Sequence, residues 1–197
     1  VTAPATTRNP AQNTPAPGPR PLRVAGVDVS LTGTAVATLG GTTRIPTTGR
    51  RRDLLHTRHA RLQTIARAAL EAVGEVQLAV IEGPSFASHG GSTWDRGGLW
   101  WLIVDGLLDR EIPTAVMPPR CRAKYATGSG AAGKTAVIDA VERTYGVVLP
   151  SDDEADAFTL RAAGLDWAGQ PLVAVPETHR GGLLGCEWPD REAVTAR

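Results

Sequence analysis

The chain has 197 residues, 21 basic and 20 acidic side chains and a formal net charge of +1, so no strong overall field marks it as a nucleic-acid binder, although charge can still be segregated locally. This length suits one compact domain with tails better than two small ones. No stretch approaches the ~20 apolar residues of a membrane span and no signal-peptide pattern opens the chain. Cys121 and Cys186 lie far apart without a CxxC pair, which argues against a zinc site or disulfide framework and fits a reducing cytoplasm.

Residues 1–21 hold six prolines among Ala, Thr, Asn and Gly, a composition that builds no packed core and predicts a disordered leader. Leu22 to Val29 and Gly33 to Leu39 read as strands of a hairpin turned by Ser30-Leu31-Thr32, and Thr42 to Pro46 adds a third after Gly40-Gly41. Asp53 stands where it can cap a helix running to Val73, whose apolar residues recur at helical spacing. Arg51 and Arg58 belong to a basic cluster at the start of this helix, which reads either as a phosphate-facing patch or as a solvated helix start. His56 and His59 have no partners at metal-ligand spacing.

Leu78 to Glu82 is a second buried strand, followed by a loop containing Phe86. Trp94 to Arg110 reads as a helix apolar on most sides, buried in the core or against a partner chain. Ile112 to Met117 makes a short strand, and Gly133 to Tyr145 another helix. Ser151 then opens an acidic helix, with Glu154 completing a capping box. This order predicts an α/β fold with an antiparallel hairpin first and helical crossovers later. Residues 171–197 have apolar content but weak periodicity and form a tail without an assigned element.

Asp28 and Glu82 each end an apolar strand, where a carboxylate is costly to bury unless a cation pairs with it. In the acidic helix, Asp152 and Glu154 suit a first turn, whereas Asp153 and Asp156 share a face at i and i+3. Two such strands and such a helix point to divalent metal, Mg2+ or Mn2+, held by oxygen ligands. The two lysines of the chain, Lys124 and Lys134, fall in one short segment beside Arg120 and Arg122, which reads either as a place where a point-charge ammonium is wanted or as chance.

Gly-Val-Asp28-Val-Ser, Val-Ile-Glu82-Gly and Asp153-Glu-Ala-Asp156-Ala-Phe, with the basic segment Lys124 to Lys134 between the last two, resemble the motifs of RuvC-like Holliday junction resolvases. The similarity is to bacteriophage members of that group, within the ribonuclease H-like superfamily, and covers roughly residues 22–164. The resemblance implies a ribonuclease H-like mixed sheet flanked by helices over residues 22–170. It also implies a structure-selective endonuclease that cuts four-way junctions or related branched DNA to 5′ phosphate and 3′ hydroxyl ends. Asp28, Glu82, Asp153 and Asp156 would hold two ions about 3.5–4 Å apart. Lys134 would stabilise charge on the phosphate; Lys124, Arg122, Arg120, Arg51 and Arg58 would contact the strands. A homodimer is implied, with Phe86 as the candidate for an aromatic that enters the junction centre, and the apolar helix with Trp100, Trp101 and Val104 is the expected dimer surface. Val29-Ser30 replaces the Pro-Gly that often follows the first aspartate in the group. Two alternatives stay open: a branched-DNA-binding module that does not cleave, and an actin-like ATPase fragment, whose first strand also pairs an Asp with a Gly-Thr hairpin. The latter needs a second half and an adenosine site, for which 197 residues are few.

Overall fold

The computed structural model describes residues 21–50, 52–84 and 92–195, so Arg51, Phe86 and all but the last residue of the expected leader lie outside it. Five strands, β1 (Val24–Asp28), β2 (Gly33–Thr38), β3 (Gly41–Pro46), β4 (Leu78–Glu82) and β5 (Thr114–Met117), form one sheet in the order β3-β2-β1-β4-β5. The pairs β1–β2 and β2–β3 are antiparallel; β1–β4 and β4–β5 are parallel. Both faces of β1 and β4 are covered, which is why these two strands read as unbroken apolar runs rather than alternating ones.

One face of the sheet packs on α1 (Leu55–Val73) and α2 (Thr93–Asp109), with Ala25, Val27, Ala79 and Ile81 meeting Ile65, Leu99 and Ile103. The other face packs on α5 (Asp152–Trp167), where Val24, Leu78 and Val80 meet Leu160 and Ala163. Here α3 (Pro119–Thr127) and α4 (Lys134–Tyr145) flank α5. The helix lies close against the strands because small residues face each other. A Cβ on Gly26 would collide with the Ala157 carbonyl oxygen and come within 2.5 Å of the Arg161 nitrogen, and one on Gly164 would approach Val80 to 2.6 Å.

Asp53 does not cap α1: the helix opens at Leu54 without a side-chain cap, and the Asp53 carboxylate accepts the Arg50 N–H at 2.7 Å instead. The basic segment contains a helix, α3, that no apolar periodicity announces; Pro119 at its start and left-handed Gly128 (φ 83°) at its end bound it. Residues 171–195 also pack on the same body, through α6 (Glu177–Arg180), a 3-10 turn (Leu183–Gly185) and α7 (Arg191–Thr195). Leu183 and Val194 join the cluster around Tyr125, Trp188 stacks on Trp167 at 4.7 Å, and Glu187 bridges to the edge residue Val116. Their apolar side chains come from short irregular pieces, so no period shows in the sequence.

Helix α2 is two-sided. Leu99, Ile103, Val104 and Leu107 are buried against the sheet, while Trp94 and Trp101 are 87% and 64% exposed. Val104 and the half-buried Trp100 therefore face inward, contrary to their expected place on an outer surface. Among the described residues, no helix is long and apolar enough to cross a membrane.

Candidate active site

Side chains alternate along a strand, so Asp28 points to the same face as Val24 and Gly26, and Glu82 to the same face as Leu78 and Val80. That is the face covered by α5. Val27 pairs with Ile81 in parallel register, so Asp28 and Glu82 leave the sheet side by side at its C-terminal edge. The N-terminus of α5 arrives at the same edge, capped by Ser151, whose hydroxyl oxygen accepts the Glu154 N–H at 3.3 Å and donates to the Glu154 carboxylate at 2.8 Å. Thr42 donates to the other oxygen of Glu154 at 2.9 Å. Glu154 is thus engaged structurally, as the capping pattern predicts.

Asp28, Glu82, Asp153 and Asp156 line one cavity of about 560 Å³, together with Asp53 and Asp95 and the basic residues Arg58, Arg61 and Lys134. Arg122 occupies its floor. Its Nε donates to Glu82 Oε1 at 2.5 Å and its Nη1 donates to Asp156 Oδ1. Asp153 turns toward the hairpin and accepts from Arg44 Nε at 2.8 Å. Lys134 donates to Asp152 and its side chain is 77% exposed. Arg58 grips Asp95 with Nε and Nη2, and Arg61 donates to the Leu31 carbonyl oxygen. Arg120 and Lys124 border a different cleft, beside Gly181 and Leu184, and Lys124 does not line the acidic cavity.

Burial pushes the Asp28 carboxyl well above the usual carboxylate range, and the neighbouring charges of Glu82 and Asp156 raise it further. Burial likewise pushes Asp156 up to about 7, with Glu82 and Asp152 adding to the rise and Arg122 and Lys134 opposing it. Burial alone would lower Arg122, but Glu82 and Asp156 outweigh it and hold the guanidinium charged. Fully ionised, Asp28, Glu82 and Asp156 carry three negative charges against the one positive charge of Arg122. A net excess of two, on oxygen donors alone, fits a hard divalent cation such as Mg2+ or Mn2+. Among the described residues, however, no three acidic, His or Cys side chains stand close enough to hold one ion as they are placed. Arg122 binds both Glu82 and Asp156, and Arg44 binds Asp153.

The sequence reading missed the roles of Arg44 and Arg122 as partners of the acids. For Arg44 a signal existed: it alternates with Thr42 on β3, and both reach α5. For Arg122 the sequence offers only a basic residue on an unannounced helix.

A central mixed sheet with an antiparallel hairpin, parallel strands beyond it and helices on both faces is the ribonuclease H-like α/β fold. No family model and no curated protein sequence matches the chain. Within that class, the chain resembles solved RuvC structures. The Thermus thermophilus RuvC structure superposes with a TM-score of 0.60 at 17% identity, over 76% of this chain and 98% of that one. T. thermophilus RuvC in complex with Holliday junction substrate gives 0.59 at 16% identity, over 76% and 97%. The fold of this chain is therefore RuvC-like.

Proposed function

We propose that the protein is a metal-dependent, structure-selective endonuclease that resolves four-way junctions or related branched DNA, of the bacteriophage RuvC-like type. The observation that carries this reading is that Asp28, Glu82, Asp153 and Asp156, from two strands and one helix, line one cavity together with Arg50, Arg58, Arg61 and Lys134. The likeness in fold to a RuvC structure holding a Holliday junction supports DNA as the ligand.

In this reading the four carboxylates hold Mg2+ or Mn2+. Held there, such ions would supply an activated water and stabilisation of the leaving 3′ oxygen. The chain's own groups position the phosphate. Lys134, exposed at the rim, reaches charge that develops on the phosphate oxygens in the transition state. Arg58 meets the backbone across the cavity, with Arg51 beyond it in sequence, and Arg120 and Lys124 extend the basic track to the neighbouring cleft. Phe86 follows the Glu82 strand and is the candidate for insertion at the junction centre. Two copies, joined through the outward face of α2, would place one site on each of two opposed strands.

The test is a panel of branched DNAs incubated with Mg2+. Asp28→Asn and Glu82→Gln are expected to lower cleavage by more than about a hundredfold, roughly 2.7 kcal/mol of barrier, with junction affinity kept or improved as phosphate repulsion falls. Cleavage within about tenfold of wild type in both variants would remove the site assignment. A non-cleaving junction-binding module is the second reading, favoured by the placement of Arg122 among the acids. Tight junction binding by wild type, without nicking in Mg2+ or Mn2+, selects it.

A further inference from the structure

We propose that Arg122 is a built-in counter-cation of the carboxylate cluster, one that competes with the divalent ion for Glu82 and Asp156 and so gates metal loading; this rests on the metal-site reading above. Among the basic residues whose ion pairs with acids border the cavity, it is the least exposed. Its side chain is 11% exposed, against 77% for Lys134, 39% for Arg44 and 30% for Arg58. Its backbone is anchored from behind: Cys121 and Tyr125 of the same helix sit in the core with Leu160 and Leu183, and the Arg122 N–H donates to the Pro118 carbonyl oxygen at 3.0 Å. The guanidinium is thereby held between a strand end and a helix start. A planar fork meets two carboxylates at once, which a lysine ammonium does not reproduce.

The oxygens that Arg122 takes, Oε1 of Glu82 and Oδ1 of Asp156, belong to the donors a divalent ion needs. Guanidinium and ion cannot share them without strong like-charge repulsion at short range. Loading therefore requires the guanidinium to move aside, and there is room for it. Arg122 and Asp156 also border a second cleft of about 210 Å³, with Lys134, Gly130 and Ala132. In the main cavity the displaced group would meet the phosphate. A DNA strand then favours metal binding by drawing Arg122 off the acids, and the metal favours DNA by freeing Arg122, as linkage demands.

The experiment is calorimetric titration of the full chain with Mn2+ in the absence of DNA, alongside thermal melting with and without Mn2+. Arg122→Gln is expected to bind Mn2+ at least about tenfold more tightly than wild type, to melt lower without metal, and to gain more from Mn2+. Lys134→Gln removes a cation of the same cavity that is bonded to Asp152 instead, and is expected to leave Mn2+ affinity within about twofold. If Arg122→Gln does not fold, Arg122→Lys is read in its place, and it is expected to bind more tightly than wild type because its ammonium bridges less well. Unchanged or weaker binding in the Arg122 variant, or an equal gain in Lys134→Gln, overturns the proposal. Asp28→Asn separates the two levels. If wild type binds Mn2+ and Asp28→Asn does not, while the Arg122 variant matches wild type, the gate alone is wrong. If Asp28→Asn binds as wild type does, or wild type and the Arg122 variant both fail to bind, the metal-site reading falls and the gate with it.

Discussion

Trp100 donates its indole N–H to the main-chain carbonyl oxygen of Glu82 over 2.8 Å, so α2, which carries none of the four clustered acids, holds the end of the strand that does. Glu82 is the last residue of β4, paired with Met117 of β5, and the Gly83 N–H beyond it donates to the Met117 carbonyl oxygen at 2.9 Å. Trp100→Phe keeps the packing and removes the donor. A loss of about 1 kcal/mol in stability and a fall in cleavage of roughly threefold to tenfold are expected, by thermal melting and single-turnover kinetics. Full activity would show that β4 holds Glu82 unaided.

Lys134 and Arg58 line the same cavity yet should separate kinetically. Lys134→Ala is expected to slow single-turnover cleavage at saturating DNA more than it weakens binding, because its contact strengthens as charge develops. Arg58→Ala should reduce affinity and lower the salt slope by about one. Arg58 is held by Asp95 in the free protein, so Asp95→Asn should tighten binding by releasing it. Binding isotherms at several salt concentrations check both, and an unchanged Lys134→Ala rate removes the phosphate role.

Stability of the metal-free protein should fall as pH rises. Asp156 is raised from 3.8 to about 7, through burial first, so the folded state binds more protons than the unfolded state between those values. The associated stabilisation is present below the ordinary carboxylate range and lost as pH climbs through about 7. Asp95 and Asp152 are lowered, by Arg58 and Lys134 respectively. Their contribution has the opposite sign and is lost only on acidification below about pH 4. Melting in chelator is therefore expected to drop between about pH 4 and pH 7, to recover at the higher pH with Mn2+, and to flatten in Asp156→Asn. A wild-type profile that rises over this window contradicts the burial argument.

Gly33 opens β2 directly beneath the Asp153–Arg44 pair, and a Cβ there would collide with the Asp153 carboxylate and the Arg44 guanidinium. Gly33→Ala should displace the Asp153 and Arg44 side-chain ends, which can move, at a cost of no more than about 1 kcal/mol. Arg44→Ala, which vacates the space, should recover part of that loss when combined with it. Additive melting shifts in the double variant would mean that the pair does not feel Gly33.

The proposed homodimer is expected to use Trp94, Trp101 and Leu108, the exposed large apolar residues of α2, rather than Trp100 or Val104. Trp101 stands edge-on to Trp100 at 4.9 Å, so the outer face is anchored to the element that supports Glu82. Light scattering at micromolar concentration should give twice the chain mass, and Trp101→Glu should halve it. A monomeric mass for wild type, with and without junction DNA, would favour a nuclease that cuts one strand of a branch.

Local rules carried far into this protein because the candidate acids end strands or lie at the start of a helix. An apolar run closed by one carboxylate, at Asp28 and again at Glu82, is a strong signal in itself, and Leu78–Glu82 is the strand its composition predicts. The Ser151 cap separated Glu154 from its neighbours for the same reason: the partner lies three residues away. What tertiary structure alone decided are contacts across long separations. Arg122 reaches Glu82 over 40 positions and Asp156 over 34, and no pattern within a helix encodes either. Lys124 and Lys134 look equivalent in the chain, yet α3 sends one to a separate cleft and α4 leaves the other at the cavity rim. Residues 171–195 carry too little periodicity to place themselves, and they are placed by the apolar surface that Tyr125, Leu160 and Trp167 leave uncovered. Spacing along a strand or helix is set by backbone geometry and so is written in the sequence. Which charges meet depends on how the elements pack, and here the close approach of α5 at Gly26 and of α3 behind Arg122 made that choice.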